Sequence, residues 1–317
     1  MNAALNLDPP MLGPPPPEAS VIIVLHDSGD ALAACIGSIP PHFEVVIADN
    51  ASVDSGPEIA RELRPDAVAA PGPNLGFGAG CNRGARAASG SVLIFLNPDS
   101  RAEPGALEAL AAATRPGSIF GPNLVDPDGK LRANARRRSR LGQDIAALLP
   151  ASARWIPDSL RRDLPPTSAI YDTGGPVDYL QGACLAIEAA SFAAIGGFDE
   201  TFFLYSEEED LCERLRAAGG TCELIASARV AHIGATSSRK IGELAAFHLF
   251  RSKLLLYRKR SRAGGAAAWA LLSAAVTLAA ATNRLRATRR RPPGWGAAAR
   301  RGLRDGLATP LNQTRRA

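Results

Sequence analysis

The sequence predicts an α/β fold built on a mixed, mostly parallel sheet flanked by helices. Three observations predict it. Continuous apolar runs recur at residues 20–25 (SVIIVL), 43–48 (FEVVIA) and 91–96 (SVLIFL), the pattern of strands buried on both faces. Helical segments separate these runs, and that alternation lays strands side by side in parallel. Of the 317 residues, 46% are hydrophobic and 21% charged, a composition that supports a packed core and excludes wholesale disorder.

Taken in order, residues 20–25 predict the first strand and 30–39 a helix. Residues 43–48 predict the second strand, and 56–63 a helix. Residues 66–70 predict a short third strand, and 78–88 a helix of small residues. Residues 91–96 predict the fourth strand, and 104–113 a helix with Pro104 in its first turn, where no backbone donor is lost. Residues 127–173, with Arg136, Arg137, Arg138 and Arg140, predict loop with short helices. A strand over 177–187, a helix over 189–195 and a helix over 207–218 follow. Two short strands (221–225, 229–231) precede two long helices, 242–260 and 265–285. Right-handed crossovers place ligands beyond the carboxyl ends of parallel strands.

The net charge of +5 conceals a split: residues 1–250 carry −10 and residues 251–317 carry +15, with Asp305 the single acid of the tail. Residues 1–19, rich in proline, predict a disordered leader; 20–250 predict the main domain and 251–317 a basic helical extension. The five cysteines are widely spaced without a CxxC, so neither a disulfide framework nor a zinc site is expected. Isolated thiols suit a reducing compartment, and no signal peptide is expected before the first strand.

The chemistry-bearing residues gather after strand ends. Asp49, Asn50 and Asp54 follow the second strand, and Asn97 and Asp99 follow the fourth. A carboxylate there suits a ribose, a base or a metal, although Asp and Asn also cap helices and make turns. The segment from Asn74 through Gly76 to Gly80 offers close backbone approach but lacks the spacing of a dinucleotide fingerprint or a P-loop. Glu207, Glu208, Glu209 and Asp210 open a helix, where acids favour the macrodipole. Their mutual repulsion raises at least one pKa and suits a general base; on a helix they point four ways, so one or two face a cleft. A lone histidine such as His232 is more often structural than ligating; beside Asp99 it would make an N/O site suited to Mn²⁺ or Mg²⁺.

Together, FEVVIADNASVDSG, NLGFGAGCNRGARAASG, VLIFLNPDS, VDYLQGACLAI, GGFDETFFLYSEEEDLCERLRAAG and AHIGATSS resemble glycosyltransferase family 2, in its bacterial rhamnosyltransferase-like branch. The resemblance covers about residues 20–262. It implies a GT-A (Rossmann-like) fold and an inverting, metal-dependent transferase. The implied donor is a nucleotide sugar, with dTDP-rhamnose the leading choice, and the implied acceptor a glycan or polyprenyl-linked sugar of cell-surface polysaccharide synthesis. It assigns Asp49, with Asn50 and Asp54, to the nucleotide, and Gly76 to the donor loop. Asp99 matches the last Asp of a DXD-type motif whose first position is Asn97. Glu208 matches the catalytic Asp, with Glu207 beside it, and His232 completes the metal site with Mn²⁺ or Mg²⁺. Gly182 and Ala183 line the donor or acceptor pocket, and Asp210 falls on the acceptor side. Asp27, where relatives carry Asn, is read as a contact to base or ribose or as a turn residue.

The alternative is a non-catalytic sugar-nucleotide or glycan-binding module on the same scaffold; retained Asp99, Glu208 and His232 argue against it. Between Arg262 and Arg284 lie 21 uncharged residues with cations on both flanks. This pattern fits a helix at an anionic membrane interface better than a span, with an Ala-rich helix packed on the domain as the other reading. Nucleic acid is not expected, because the basic residues carry few interleaved aromatics, Trp295 among them, and no known nucleic-acid motif appears. The expected location is cytoplasmic, at the inner face of a bacterial plasma membrane.

Overall fold

The computed structural model describes residues 18–148, 161–233, 242–285 and 294–311. Most of the expected leader, the residues after Ile233 in AHIGATSS, and the arginines at 286 and 289–291 lie outside the described residues.

The chain runs β1 (Ala19–Leu25), α1 (Gly29–Gly37), β2 (Glu44–Asp49), α2 (Gly56–Leu63), β3 (Val68–Ala69), α3 (Phe77–Ala87), β4 (Val92–Leu96), β5 (Ser100–Ala102) and α4 (Ala106–Ala113). It continues as β6 (Ser118–Val125), β7 (Ala135–Arg136), α5 (Leu141–Leu148), α6 (Ile170–Thr173), β8 (Gly175–Pro176), β9 (Tyr179–Leu180), β10 (Cys184–Glu188) and α7 (Ala189–Ala194). Last come α8 (Glu207–Ala217), β11 (Thr221–His232), α9 (Gly242–Arg260), α10 (Arg262–Leu285) and α11 (Trp295–Ala308). Among the described residues one nine-stranded sheet has the order β3-β2-β1-β4-β10-β6-β11-β5, with β8 on β11, and a two-stranded sheet joins β7 to β9. β10, β5 and β8 run against the other strands of the large sheet.

Alternation along β1 explains the layering. Val21, Ile23 and Leu25 face α1 and α4 through Leu32, Leu107 and Leu110. Ile22 and Val24 face α3, α7 and α8 through Cys81, Phe192, Leu211 and Leu215. A third apolar cluster joins α5, α9, α10 and α11. All five cysteines are buried and unbridged.

The structure departs from the sequence reading at several places, among them β5, a short strand that was not expected. β6 was not expected; it contains Gly121 and Pro122, residue types disfavoured inside strands. Both are accommodated: pairing with β10 involves Ile119 and Phe120, before Pro122, and the β11 pairing shifts register just after Pro122 meets Ile225. A side chain at Gly121 would press on Leu180 Cδ1 at 3.0 Å. The expected strand 177–187 divides into β9 and β10, because residues 181–183 turn from the small sheet into the large one. The two short strands 221–225 and 229–231 are one irregular strand, β11. A third C-terminal helix, α11, packs Ala299 and Leu303 against the cluster of α9 and α10.

Candidate active site

β1, β2 and β4 are parallel neighbours, and β11 runs the same way through β6 and β10. Their carboxyl ends therefore deliver Asp27, Asp49, Asp99 and His232 to one edge. Four non-glycine residues have positive φ among the described residues: Asp27, Ala51, Tyr205 and Ser206. All lie in loops at this edge or in the turn that launches α8. Such backbone conformations cost energy and persist where surrounding structure holds them, often at working sites.

The strand-end loops are tightly braced. Asp49 Oδ1 accepts a hydrogen bond from the Ser52 amide at 3.0 Å, and Asp27 Oδ1 accepts one from the Val53 amide at 2.8 Å. Asp54 receives the Gly29 amide on Oδ2 (2.7 Å) and the Gly56 amide on Oδ1 (3.0 Å). It thus joins the starts of α1 and α2, which makes it a brace of the loop. Asn50 is buried; its Nδ2 donates to the Gly76 carbonyl (3.0 Å) and its Oδ1 accepts from Arg83 Nη2 (2.6 Å). Arg83 also donates to the carbonyls of Ala70 (2.8 Å) and Asp49 (2.9 Å). Arg83 lies in the Gly-rich segment, but only the fold brings β2 and β3 to it.

Gly76 has φ +104°, and a Cβ there would lie 2.2 Å from the Phe203 carbonyl oxygen. The Phe77 amide donates to that same oxygen at 2.9 Å. Close approach to the loop before α8 therefore requires this glycine. Buried Asn82, one turn on, holds Phe198 through both its amide (2.8 Å) and its carbonyl (2.9 Å).

At the β4 end, Asp99 Oδ1 lies 3.1 Å from His232 Nε2. β5 holds the pair: Ser100 faces His232 in the antiparallel register, and the Ile233 amide donates to the Asp99 carbonyl at 3.1 Å. Asn97 Oδ1 is buried without a hydrogen-bond partner among the described residues, while the Asn97 amide donates to Ala183 at 2.9 Å. No group of three or more His, Cys, Asp or Glu side chains gathers as a metal site among the described residues. The oxygen of Asp99 and the nitrogen of His232 nevertheless suit a hard or borderline divalent cation. Two protein donors leave positions for ligand oxygens and water, and the orphaned Asn97 oxygen is a further donor in the same turn. The residues present fit such an ion.

The four acids of α8 separate in four directions, as helical geometry requires. Glu207 is buried, its Oε2 is unpartnered among the described residues, and burial followed by the charge of Glu208 holds its pKa well above the ordinary carboxylate range. Glu208 is partly exposed, and Gly182 packs on it, with a virtual Cβ 3.6 Å from Glu208 Cβ. Its Oε2 also lacks a partner. Burial raises its pKa, and the Arg136 guanidinium works against that rise.

Glu209 and Asp210 face the C-terminal helices. Glu209 Oε1 accepts from the Ser139 amide (2.6 Å) and Arg260 Nη2 (2.7 Å), and Oε2 accepts from Ser139 Oγ (2.7 Å). Asp210 Oδ2 accepts from Arg214 Nε at 2.8 Å, and Oδ1 pairs with Lys259 Nζ at 2.5 Å. Asp210, expected on the acceptor side, is thus engaged with its own helix and α9. The structure joins Asp99 to His232, and links Asn97 through Ala183 and Gly182 to Glu208. Sequence reasoning missed Arg136, whose Nη2 donates to Gln181 Oε1 at 3.2 Å. It read as one of a loop cluster, and its place in β7 opposite Tyr179 left no local signal.

Residues 20–162 match the family model for glycosyl transferase family 2. The chain is 33% identical over 254 residues to N-acetylglucosaminyl-diphospho-decaprenol L-rhamnosyltransferase of Mycobacterium tuberculosis, covering 72% of this chain and 80% of the relative. The chain belongs to glycosyltransferase family 2. It is a glycosyltransferase of the rhamnosyltransferase-like kind, on a GT-A fold. The mannosyltransferase PcManGT of Pyrobaculum calidifontis, solved with GDP-Man and Mn²⁺, superposes with a TM-score of 0.53 at 14% identity, over 92% of this chain and 86% of that one. GalNAc-T7, solved with UDP, GalNAc and Mn²⁺, gives 0.51 at 19% identity, over 68% of this chain and 43% of that one. Both likenesses concern the fold.

Proposed function

We propose that this glycosyltransferase moves L-rhamnose from dTDP-rhamnose to a lipid-linked sugar diphosphate in cell-surface polysaccharide synthesis, with inversion at the anomeric carbon. The reaction named for the Mycobacterium tuberculosis relative supports the sugar and the acceptor class. The observation that carries the mechanism is the Glu208 side chain, partly exposed beside Gly182, whose Oε2 is buried with no hydrogen-bond partner among the described residues.

In this reading Glu208 takes the proton of the acceptor hydroxyl as that oxygen attacks the anomeric carbon, and the nucleoside diphosphate departs from the opposite face. Asp49 and Asp27 hold the nucleoside end, and Asn50 and Gly76 keep the loop around it in place. Asp99 and His232, with Asn97 nearby, would hold a divalent ion, Mn²⁺ or Mg²⁺. When bound, it supplies positive charge that neutralises the departing diphosphate. Gly182 and Ala183 leave room beside Glu208 for the acceptor.

In this reading the basic extension of residues 251–317 meets an anionic bilayer, and the enzyme works at the cytoplasmic face of the membrane. Its α10 contains a stretch, Arg262–Thr282, long and apolar enough to cross a membrane, with mean hydropathy 1.6. One face of α10, through Leu272, Val276 and Ala279, is packed against α9 and α11, which favours a helix lying at the interface.

The test is transfer from a panel of nucleotide sugars, with Mn²⁺ or Mg²⁺, to a synthetic polyprenyl-diphospho-N-acetylglucosamine, with the product anomer read by NMR. Rhamnosyl transfer with inverted configuration is expected. Transfer of another sugar alone, or retention of configuration, overturns the corresponding part of the proposal.

A further inference from the structure

A cavity of about 1220 Å³ opens between the far side of α8, the α9–α10 turn and the end of α11, away from the Glu208 face. Its lining contains seven cationic side chains and two acidic ones. Most of these cations are already matched: Lys259 pairs with Asp199 and Asp210, and Arg260 with Glu209 and Glu213. Two are not. Arg258 Nη1 donates to the carbonyls of Gly306 and Thr309, which neutralise no charge. Arg262 is exposed and has no ion-pair partner among the described residues. Gly265 lets the first turn of α10, which begins at Arg262, pass close to Arg258, since a Cβ there would lie 2.4 Å from Arg258 Cγ and 3.0 Å from its Cα.

The opposite wall is apolar, with Leu307 39% exposed and Leu311 beside it. Ala266 of α10 lines the same mouth. At 100° per residue, Arg262 and Ala266 stand at the edge of the exposed arc of α10, which continues through Ala270 and Ala274 to Leu271 and Leu278. Those two leucines are 51% and 54% exposed. A cavity with surplus cations, a leucine wall and an adjoining apolar helix face matches a molecule with a phosphate and acyl chains.

We infer that this cavity binds the phosphate headgroup of an anionic membrane lipid, between Arg258 and Arg262, while the exposed face of α10 enters the acyl boundary. The inference rests on the reading of the C-terminal helices as the membrane-facing side and gives that side a discrete binding site. Charge complementarity selects the occupant. A zwitterionic headgroup brings its own cation against Arg262, and a soluble acidic peptide leaves Leu271, Leu278 and Leu307 in water.

The test is co-sedimentation of the full chain with vesicles of phosphatidylcholine alone or with about one third phosphatidylglycerol. Each cation at an anionic surface contributes on the order of fivefold in affinity. Binding of the unmodified protein to the phosphatidylglycerol vesicles is expected, with R262E weakening it on the order of tenfold or more and R258Q on the order of fivefold. R61E, which alters an exposed arginine on α2, is expected to bind as the unmodified protein does. Arg262 is exposed, so R262E keeps the test valid even where R258Q disturbs the hold on α11. If R262E binds as tightly as R61E while L271D/L278D fails to bind, the headgroup site is overturned and the membrane reading stands. If the unmodified protein ignores phosphatidylglycerol vesicles, the membrane reading falls and the site with it.

Discussion

His232 Nε2 lies 3.1 Å from Asp99 Oδ1, across the register in which the last residue of β11 faces the first of β5. The two groups share one point in space although 133 residues separate them in sequence. As donors to one divalent ion, they should act as a unit. Asp99→Asn and His232→Ala are each expected to weaken Mn²⁺ binding on the order of 10–100-fold or more, since even outer partners of a metal site have effects of that size. Mn²⁺ titration followed by electron paramagnetic resonance, with donor present, reads the loss independently of turnover. Undiminished Mn²⁺ binding in both variants removes this pair from the metal site.

Glu207 and Glu208 are adjacent acids with different surroundings, and isosteric amides separate their roles. Burial and the charge of Glu208 push the Glu207 pKa well above the ordinary carboxylate range, which favours the protonated form that Glu207→Gln mimics. That variant is expected to retain turnover within a few-fold. Glu208→Gln removes the proton acceptor and is expected to lower kcat by roughly 10²–10⁴-fold, the usual contribution of a general base. Donor binding, measured by calorimetry, is expected to change little. The reverse ranking of the two variants assigns the base to Glu207.

The pH profile carries the same assignment. Burial raises the Glu208 pKa and Arg136 opposes the rise. A base works above its pKa, so activity is expected to fall as pH drops through a value above the ordinary carboxylate range. Arg136→Gln removes the opposing charge and should push the acid limb of kcat further up. A limb that stays in place in this variant separates Arg136 from the base.

The parts of this fold that sequence made legible are those whose signal is local. β1, β2 and β4 are continuous apolar runs, and the polar residues that end them, Asp49 and Asp99, stand where a parallel sheet delivers ligands. β6 was hidden by Gly121 and Pro122, whose tolerance depends on where the neighbouring strands stop pairing. The acidic run of α8 was visible, and so was its division in four directions. Which acid faces which way was not, because the partners of Glu209 lie at Ser139, Lys253 and Arg260. Likewise Asp54 carried the signal of a ligand-binding acid, yet its oxygens meet the amides of Gly29 and Gly56, a use that only folded loops reveal.

Helix α8 is tied to the basic extension by a buried cluster around Lys253. Lys253 Nζ lies 2.6 Å from Ser139 Oγ, 3.4 Å from Asp144 and 3.6 Å from Glu209, and the side chains of Lys253 and Glu209 are 7% and 1% exposed. Burial works to raise the Glu209 pKa, but Lys253, Ser139 and Arg260 outweigh it and hold the carboxyl below its usual value. A depressed carboxylate contributes stability above its unfolded pKa and loses it as pH falls through the lower native value. Lys253→Met leaves that carboxylate buried with less compensation, and breaking a buried pair costs about 3–5 kcal/mol. Urea unfolding at neutral pH is expected to show a loss of that order, with the acid-unfolding transition moved to higher pH. Glu209→Gln together with Lys253→Met should cost less than the two single losses combined, because neither charge is then left without the other. Additive losses in this cycle refute the coupling between Lys253 and Glu209 that ties α9 to α8.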